Sequence, residues 1–93
     1  MSSSFDLTGR SALVTGAARG LGRAIALALA DAGADIALGL RDNSSDGGLI
    51  REIEAKGRRA VPLQMDVLDL TQSYAAIDAA IAAFGKLDIL VNN

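Results

Sequence analysis

The sequence TGAARGLG, residues 15–22, decides the fold of this 93-residue chain. It follows a short apolar run, Ser11–Thr15, that is typical of a buried strand. It leads into residues 21–32, where apolar side chains recur at helical spacing. A strand, a glycine turn and a helix in this order can bind an anion, because the free N–H groups of the helix N-terminus face the turn. We therefore predict that this turn binds a pyrophosphate.

Each glycine of the turn has its own predicted role. Gly16 lets the chain turn sharply at the end of the strand, and Gly20 leaves the backbone accessible to a pyrophosphate. Gly22 lets the helix pack closely on the first strand. Glycine spacing alone is weak evidence in a chain with 10 glycines, so the strand before the turn and the helix after it give the motif its specificity. A plain β–α turn that binds nothing is the alternative interpretation.

The rest of the chain repeats the β–α unit. Short apolar runs predict strands over residues 36–40, 60–65 and 87–91, and helical patterns predict helices over residues 49–57 and 70–84. Strands that alternate with helices of this length pair in parallel through right-handed crossovers. Near-continuous apolar strands fit a sheet that is covered on both faces. The predicted fold is therefore α/β, a Rossmann-type, doubly wound parallel sheet.

Individual residues refine these elements. Asp69 and Gln72 have capping-box spacing, so we expect Asp69 to cap the third helix, which Gly85 ends. Pro62 lacks an N–H group, which places the third strand at a sheet edge or Pro62 near the start of that strand. Apolar spacing also predicts the buried helix faces: Leu21, Ile25 and Leu29 with Ala24 and Ala28 in the first helix, and Tyr74, Ile77, Ile81 and Phe84 in the third.

The composition excludes several classes of function. A formal net charge of −2 and a pI of about 4.8 argue against an electrostatic nucleic-acid binder, which is normally basic. The chain has no Cys and no His, which excludes disulfides, Cys or His metal ligands and Ser-His or Cys-His catalytic pairs within it. An all-carboxylate metal site is not excluded, but no cluster suggests one, so we predict no metal.

The sequence also lacks membrane and export signals. No run of about 18 apolar residues predicts a transmembrane span. Residues 1–4 lack the basic and apolar regions of a signal peptide, and residues 2–4 suggest a disordered tail instead. Together with the absence of Cys, which fits a reducing compartment, these features favour a cytoplasmic protein.

Three motifs together resemble those of the short-chain dehydrogenase/reductase family. Residues 15–22 match its Thr-Gly-x-x-x-Gly-x-Gly motif, and Asp66-Val67, after the third strand, match its Asp-Val adenine site. Residues 90–93, after the fourth strand, match the start of its Asn-Asn-Ala-Gly motif. The similarity is greatest to 3-oxoacyl-(acyl carrier protein) reductases and related sugar or polyol dehydrogenases. It covers essentially the whole chain but only about the first third of a typical family member.

The resemblance implies a strand order of 3-2-1-4 and a role for each matched residue. Asp66 would accept a hydrogen bond from the adenine amino group, with Val67 packed beside the ring. Asn93 would lie near the adenosine ribose through its backbone, and Asn92 would brace the central sheet. Taken singly, Asp66 could be only a turn residue and the asparagines only a polar strand end. The pyrophosphate would be lined by Gly16, Gly20, Leu21 and Gly22.

The end of the second strand predicts which nicotinamide cofactor binds. In dinucleotide-binding folds an acidic residue here bonds the ribose hydroxyls of NAD, whereas a nearby Arg accommodates the 2′-phosphate of NADP. Leu40 occupies the acidic position, Arg41 follows it, and Arg19 lies within the glycine turn. Two guanidinium groups could thus bind one dianion, so we predict NADP. NAD is the alternative, because Asp42 could turn inward. The two arginines could also be solvated surface residues that bind no phosphate.

The groups that the family uses for proton transfer have no counterpart in this chain. They are a Ser, and a Tyr and a Lys in a Tyr-x-x-x-Lys motif, and they follow the Asn-Asn element. Tyr74 lies on the predicted apolar stripe of the third helix and has Asp78, not Lys, four residues on, so we interpret Tyr74 as a core or half-exposed packing residue. Residues 1–93 are predicted to be the N-terminal, dinucleotide-binding portion of a single Rossmann domain, without the catalytic portion and inactive alone.

For the full-length protein the resemblance implies hydride transfer between NADP(H) and a carbonyl or secondary alcohol. The expected partners are a small-molecule substrate and further copies of the chain, in a homo-oligomer that would be a tetramer. Neither nucleic acid nor membrane is an expected partner. A non-catalytic dinucleotide-binding fragment is the alternative. A third hypothesis is an epimerase or dehydratase of the same extended superfamily. Such enzymes more often carry Gly-x-x-Gly-x-x-Gly, which this chain lacks.

Overall fold

A computed structural model describes residues 6–93 of the chain. The predicted tail at residues 2–4 and the predicted lack of a signal peptide therefore concern residues outside the described part. Strands and helices alternate along it, in the order β1 (Ser11–Thr15), α1 (Gly20–Asp31), β2 (Asp35–Leu40), α2 (Leu49–Ala55), β3 (Ala60–Gln64), α3 (Leu70–Phe84) and β4 (Ile89–Val91).

The four strands form one sheet in the order β3-β2-β1-β4, and every neighbouring pair is parallel. In the centre of the sheet Leu13 of β1 lies between Ala37 of β2 and Leu90 of β4. The predicted parallel sheet and its strand order are thus confirmed. Because all four strands run in the same direction, the residues that follow Thr15, Leu40 and Gln64 lie together at the carboxyl ends of the strands.

Helices cover both faces of the sheet, as predicted for a doubly wound fold. Strand side chains alternate between the faces, so Ala12 and Val14 pack with α1 and α2, whereas Leu13 packs with α3. β3 lies at the edge of the sheet, which confirms that position for the strand that carries Pro62. No helix within residues 6–93 is long and apolar enough to cross a membrane.

The buried face of α1 differs from the prediction. Its fully buried residues are Gly22, Ala26 and Ala30, whereas Leu21 is 68% exposed. Ile25 and Leu29 are half-buried beside this face, and Ala24 and Ala28 are exposed. The physical reason is that small residues let the helix backbone approach the sheet closely, which a line of large side chains facing the strands would prevent.

The buried face of α3 was predicted wrongly for the same reason. Ala76 and Ala80 are buried against the sheet, whereas Tyr74 is 66% exposed and Ile81 is 41% exposed. Ile77 and Phe84 are partly buried at the margin of this contact. Tyr74 is therefore not a core packing residue. The helix ends agree with the prediction, since the Asp69 carboxylate accepts from the Gln72 N–H and Gly85 adopts a φ of 84°.

Candidate functional site

A groove follows the carboxyl ends of β1, β2 and β3. Its larger part, the arginine end, has a volume of about 470 Å³ and is lined by Gly16, Ala17, Ala18, Arg19, Leu40, Arg41, Asp42, Ser45 and Gly47. Its smaller part, the aspartate end, has a volume of about 210 Å³ and is lined by Gly16, Arg41, Met65, Asp66, Val67, Leu68 and Asn93. Gly16 and Arg41 line both parts, so the two ends adjoin.

The glycine turn places the start of α1 directly against the end of β1. Gly16 and Gly20 have φ angles of 59° and 62°, in the left-handed region that glycine adopts without strain. A Cβ atom on Gly22 would lie 2.2 Å from the Gly16 carbonyl oxygen, so only glycine fits there. A Cβ atom on Gly20 would meet nothing within 4 Å, which leaves open space beside the helix N-terminus.

The N-terminus of α1 is neither capped by a side chain nor followed by an acidic residue in its first turn within the described part of the chain. Arg19 occupies the N-cap position but makes no side-chain capping bond, and the first turn of the helix contains no acidic residue. The first N–H groups of a helix lack intrahelical acceptors and carry a partial positive charge. The end of the glycine turn can therefore accept an anionic group from outside the chain.

Asn93 ties the end of β4 to the glycine turn. Its main-chain N–H donates to Thr15 Oγ1 at 2.8 Å, and its side-chain Nδ2 lies 3.5 Å from the Gly16 oxygen. Thr15 is buried at the end of β1, so this bond joins two parallel strands beyond their ladder. Asn92 is exposed and its side chain forms no hydrogen bond within residues 6–93, so the role predicted for it stays a prediction.

The aspartate end presents a fixed carboxylate beside apolar side chains. The Asp66 N–H donates to Gln72 Oε1 at 2.9 Å, and Asp66 Oδ1 accepts from the Leu68 N–H at 3.0 Å. These bonds hold Asp66 from both sides and leave Oδ2 without a hydrogen bond from residues 6–93. Val67 and Leu68 are 52% and 86% exposed, so this end offers a hydrogen-bond acceptor next to apolar surface.

The arginine end carries two cations and one anion. Arg19 and Arg41 are exposed, and neither forms an ion pair within residues 6–93. Asp42 turns onto its own loop, where Oδ1 accepts from the Ser44 hydroxyl at 2.6 Å and the Ser44 N–H at 3.0 Å. These bonds hold the pKa of Asp42 below its ordinary value. One oxygen of this carboxylate is thus bonded within its own loop, while both guanidinium groups can bind an anion.

Most of the predicted site residues come together in the groove. Gly20, Leu21 and Gly22 are not among the residues that line it; Gly22 is buried, and Leu21 is 68% exposed. No group of three or more His, Cys, Asp or Glu residues that could hold a metal ion exists in the described range. The predicted residues that do line the groove are Gly16, Arg19, Arg41, Asp66, Val67 and Asn93.

Sequence reasoning missed several contributors to the groove. Ser45 and Gly47 line the arginine end, and Arg23 of α1 donates from Nη1 to the Gly47 oxygen at 3.1 Å. Met65 and Leu68 flank the aspartate end. The position of Met65 at the end of the predicted third strand, next to Asp66, was a usable signal. The sequence carries no signal that would have placed Ser45 in the groove, since the path of the loop after β2 does not follow from periodicity.

A parallel, doubly wound sheet with a glycine turn at the end of β1 defines a Rossmann-type α/β protein. The family model described as short chain dehydrogenase matches residues 10–93, and the chain belongs to this family. This match argues against the hypothesis of an epimerase or dehydratase.

Named relatives agree with this assignment. The chain is 42% identical over 85 residues to a 3-oxoacyl-[acyl-carrier-protein] reductase of Staphylococcus aureus, a match that covers 90% of this chain and 35% of that protein. It is 43% identical over 89 residues to a 2-dehydro-3-deoxy-D-gluconate 5-dehydrogenase of Dickeya dadantii, covering 96% and 34% of the two chains. A crystal structure of a short chain dehydrogenase from Burkholderia cenocepacia in complex with NADP superposes with a TM-score of 0.88 at 46% identity, covering 94% and 36%.

The chain thus spans about a third of the length of the relatives it matches. These relatives are oxidoreductases whose names specify different substrates. The family is therefore established for this chain, whereas the comparisons do not single out one substrate or one nicotinamide cofactor.

Proposed function

We propose that this chain binds a nicotinamide dinucleotide and forms the cofactor-binding portion of an oxidoreductase. In the whole protein it would transfer hydride between the cofactor and a carbonyl or secondary alcohol. The observation that carries the proposal is the groove whose arginine and aspartate ends meet at Gly16 and Arg41 along three strand ends. Ligands of doubly wound sheets bind outside the carboxyl ends of the strands, which is where this groove lies.

The pyrophosphate is proposed to bind over the glycine turn, at the uncapped N-terminus of α1. Gly16 and Gly20 leave the main chain accessible, and the main-chain N–H groups of Gly20 and Leu21 lie at the start of the helix. Gly22 acts from behind, because its lack of a side chain lets the helix approach the Gly16 carbonyl group.

The adenosine is proposed to bind at the aspartate end. The free Oδ2 atom of Asp66 suits the adenine amino group, and the exposed side chain of Val67 suits the face of the ring. Asn93 is proposed to border the ribose through its main chain, since its N–H is bonded to Thr15 and its position beside Gly16 is fixed.

The preferred cofactor is proposed to be NADP, with NAD as the alternative. Arg19 and Arg41 line one end of the groove and form no ion pair with any residue from 6 to 93, which suits the 2′-phosphate dianion. Asp42 lines the same end, where its Oδ1 atom accepts from Ser44. Its Oδ2 atom accepts no hydrogen bond within residues 6–93 and is the basis of the NAD alternative, whereas the two arginines favour NADP. The NADP bound to the Burkholderia relative agrees with this choice.

The cofactor proposal is tested with Arg41→Asp in the protein at its natural length. Calorimetric titration should show that NADP binds more weakly by at least about tenfold, because charge-assisted hydrogen bonds to the phosphate are lost, while NAD binding is kept or improved. Arg51→Asp is the matched control, since Arg51 is exposed on α2 and has no ion pair within residues 6–93. An NADP-to-NAD affinity ratio that is equal in the two variants would remove Arg41 from the site.

The proposed reaction requires the whole protein and is tested by NADPH oxidation with a 3-oxoacyl thioester and a keto sugar acid. Oxidation of NADPH with either compound supports an oxidoreductase. Tight binding of NADPH without turnover of any carbonyl would favour the non-catalytic dinucleotide-binding alternative. The homo-oligomeric state and the cytoplasmic location stay predictions, which light scattering and cell fractionation test.

A further inference from the structure

The last residue of β3, Gln64, connects this strand to the loop that follows β2. Its side-chain Nε2 donates to the main-chain oxygen of Arg41, and its Oε1 accepts from the main-chain N–H of Asn43 at 3.3 Å. A main-chain oxygen can only accept and a main-chain N–H can only donate, so the two partners together fix the orientation of the amide. One side chain thus holds the loop at two points, directly on either side of Asp42.

These two bonds extend the sheet beyond its last regular pair. The β2–β3 register ends where Leu40 pairs with Gln64, and the Met65 N–H closes the ladder on the Leu40 oxygen at 2.7 Å. Arg41 comes next on the β2 side, at the point where the chain leaves the sheet. Among residues 6–93, Gln64 is the residue that holds the main chain around Arg41 from the β3 side beyond the ladder, and this main chain is the base from which the Arg41 side chain extends.

We propose that Gln64 is a positioning residue that determines how strongly the site prefers a dinucleotide with a 2′-phosphate. This inference rests on the proposed binding of NADP at the arginine end. Gln64 lines neither end of the groove. It acts by holding the main chain of Arg41 and Asn43, so that the Arg41 guanidinium faces the groove before the cofactor arrives.

The physical basis is preorganisation. A long cation on a free loop loses loop and side-chain freedom when it binds a phosphate, and this loss weakens binding. The Gln64 amide imposes the loop conformation in the free protein, so less freedom is lost on binding. Preorganisation of Arg41 strengthens the binding only of ligands that Arg41 contacts. NAD has no 2′-phosphate for Arg41 to bind, so its affinity should not depend on Gln64.

The test is Gln64→Met in the protein at its natural length, because Met has a similar length and no charge but cannot form either bond. Calorimetric titration should show NADP binding weakened about three- to tenfold, the range expected for two exposed neutral hydrogen bonds, with NAD binding changed by less than about twofold. Hydrogen exchange should be faster at the Asn43 amide, because that N–H has lost its acceptor.

Gln72→Met is the matched control, since it removes the chain's other glutamine. Gln72 accepts from the Asp66 N–H at the aspartate end, which both cofactors would share. We expect Gln72→Met to weaken NADP and NAD equally and to leave their ratio unchanged. If Gln64→Met also lowers both affinities equally, or leaves both unchanged, Gln64 does not position Arg41 and the inference is wrong.

The failure of this inference can be told apart from failure of the proposed cofactor preference. If the unsubstituted protein binds NAD as tightly as NADP, the arginine end does not hold a 2′-phosphate and both proposals are overturned. If it prefers NADP, and Arg41→Asp abolishes that preference while Gln64→Met leaves it intact, the cofactor proposal stands and only the role of Gln64 is refuted.

Discussion

The contact between Gly22 and the glycine turn gives the sharpest prediction, for the substitution Gly22→Ala. In most helices this change would stabilise the protein by about 0.8–1 kcal/mol, because alanine favours the helix. Here the new Cβ atom would lie 2.2 Å from the Gly16 oxygen and 2.8 Å from Asn93 Nδ2. Ordinary contacts need about 3.5 Å, so the helix and the turn must separate by more than about 1 Å.

The expected cost follows from overpacking at a buried site. Gly22 is buried, and its nearest neighbour is a main-chain carbonyl group that cannot rotate away. Overpacking costs about 1–3 kcal/mol, and contact with a main-chain group that cannot move favours the upper part of that range, about 2–3 kcal/mol. The gain in helix propensity, about 1 kcal/mol, offsets only part of this cost. We therefore expect Gly22→Ala to lower the free energy of unfolding by about 1–2 kcal/mol, measured by urea denaturation of the natural-length protein.

A control in the same helix separates the two contributions. Ala28 is exposed on α1, away from the groove, so Ala28→Gly should lose only the propensity, about 1 kcal/mol. The affinity for NADP should also fall in Gly22→Ala, because the displaced turn no longer fits the pyrophosphate, and should be unchanged in Ala28→Gly. The reasoning is refuted if Gly22→Ala is at least as stable as the unsubstituted protein and binds NADP equally well.

Three further predictions concern the strand ends. Thr15→Val removes the buried acceptor of the Asn93 N–H and should lower the free energy of unfolding by about 1–2 kcal/mol in urea. Asp66→Asn keeps the shape but not the charge of the group proposed to bind adenine, so it should weaken NADP and NAD equally, about three- to tenfold by titration. The Ser11 N–H holds the pKa of Asp88 below its ordinary value of 3.8, with Lys86 and Arg10 contributing. The ionised Asp88 carboxylate contributes its full stabilisation above about pH 3.8, and this stabilisation is lost as the pH falls through the lowered pKa. Asp88→Asn should therefore reduce the fall in the free energy of unfolding between about pH 3.8 and lower pH.

Each of these predictions has a control. Thr71→Val changes an exposed threonine of α3, and an equal loss there would deny a special role to Thr15. Unchanged affinities in Asp66→Asn would remove Asp66 from the adenine site. Asp78→Asn alters an exposed carboxylate that has no ion pair within residues 6–93. If stability falls with acid in the same way in Asp88→Asn and Asp78→Asn, the bond to Ser11 does not contribute.

The fold could be predicted from local patterns because each strand and helix has its own apolar period. The strand order, in contrast, came only from the family resemblance, since periodicity does not determine which strands are neighbours. The helix faces were predicted wrongly because apolar spacing gives weight to large side chains such as Leu21 and Tyr74. The faces of α1 and α3 that meet the sheet instead carry the small residues Ala26 and Ala76, which allow close approach.

The site residues were predictable where they follow a strand directly, since parallel strands end at one edge of the sheet. This placed Arg41 and Asp66 near the glycine turn without any tertiary information. The bonds that connect these strand ends were not predictable. Thr15 and Asn93 are far apart in the sequence, and Gln64 reaches across to a different loop. Such bonds depend on the final register, which a single sequence does not encode locally.

Two groups of residues at these strand ends allow effects on stability to be separated by experiment from effects on cofactor preference. Gly22 and Thr15 hold the turn and the end of β4, which belong both to the sheet and to the proposed pyrophosphate and ribose sites. Changes there should lower stability and weaken NADP and NAD together. Arg41 lies on the loop after β2 and Gln64 at the end of β3, and both are exposed. Changes there should therefore leave stability nearly intact and act on binding of the 2′-phosphate alone. Saturation at about 100 times the Kd adds about 2.7 kcal/mol to stability, so melts with NADP and with NAD report both effects in one assay.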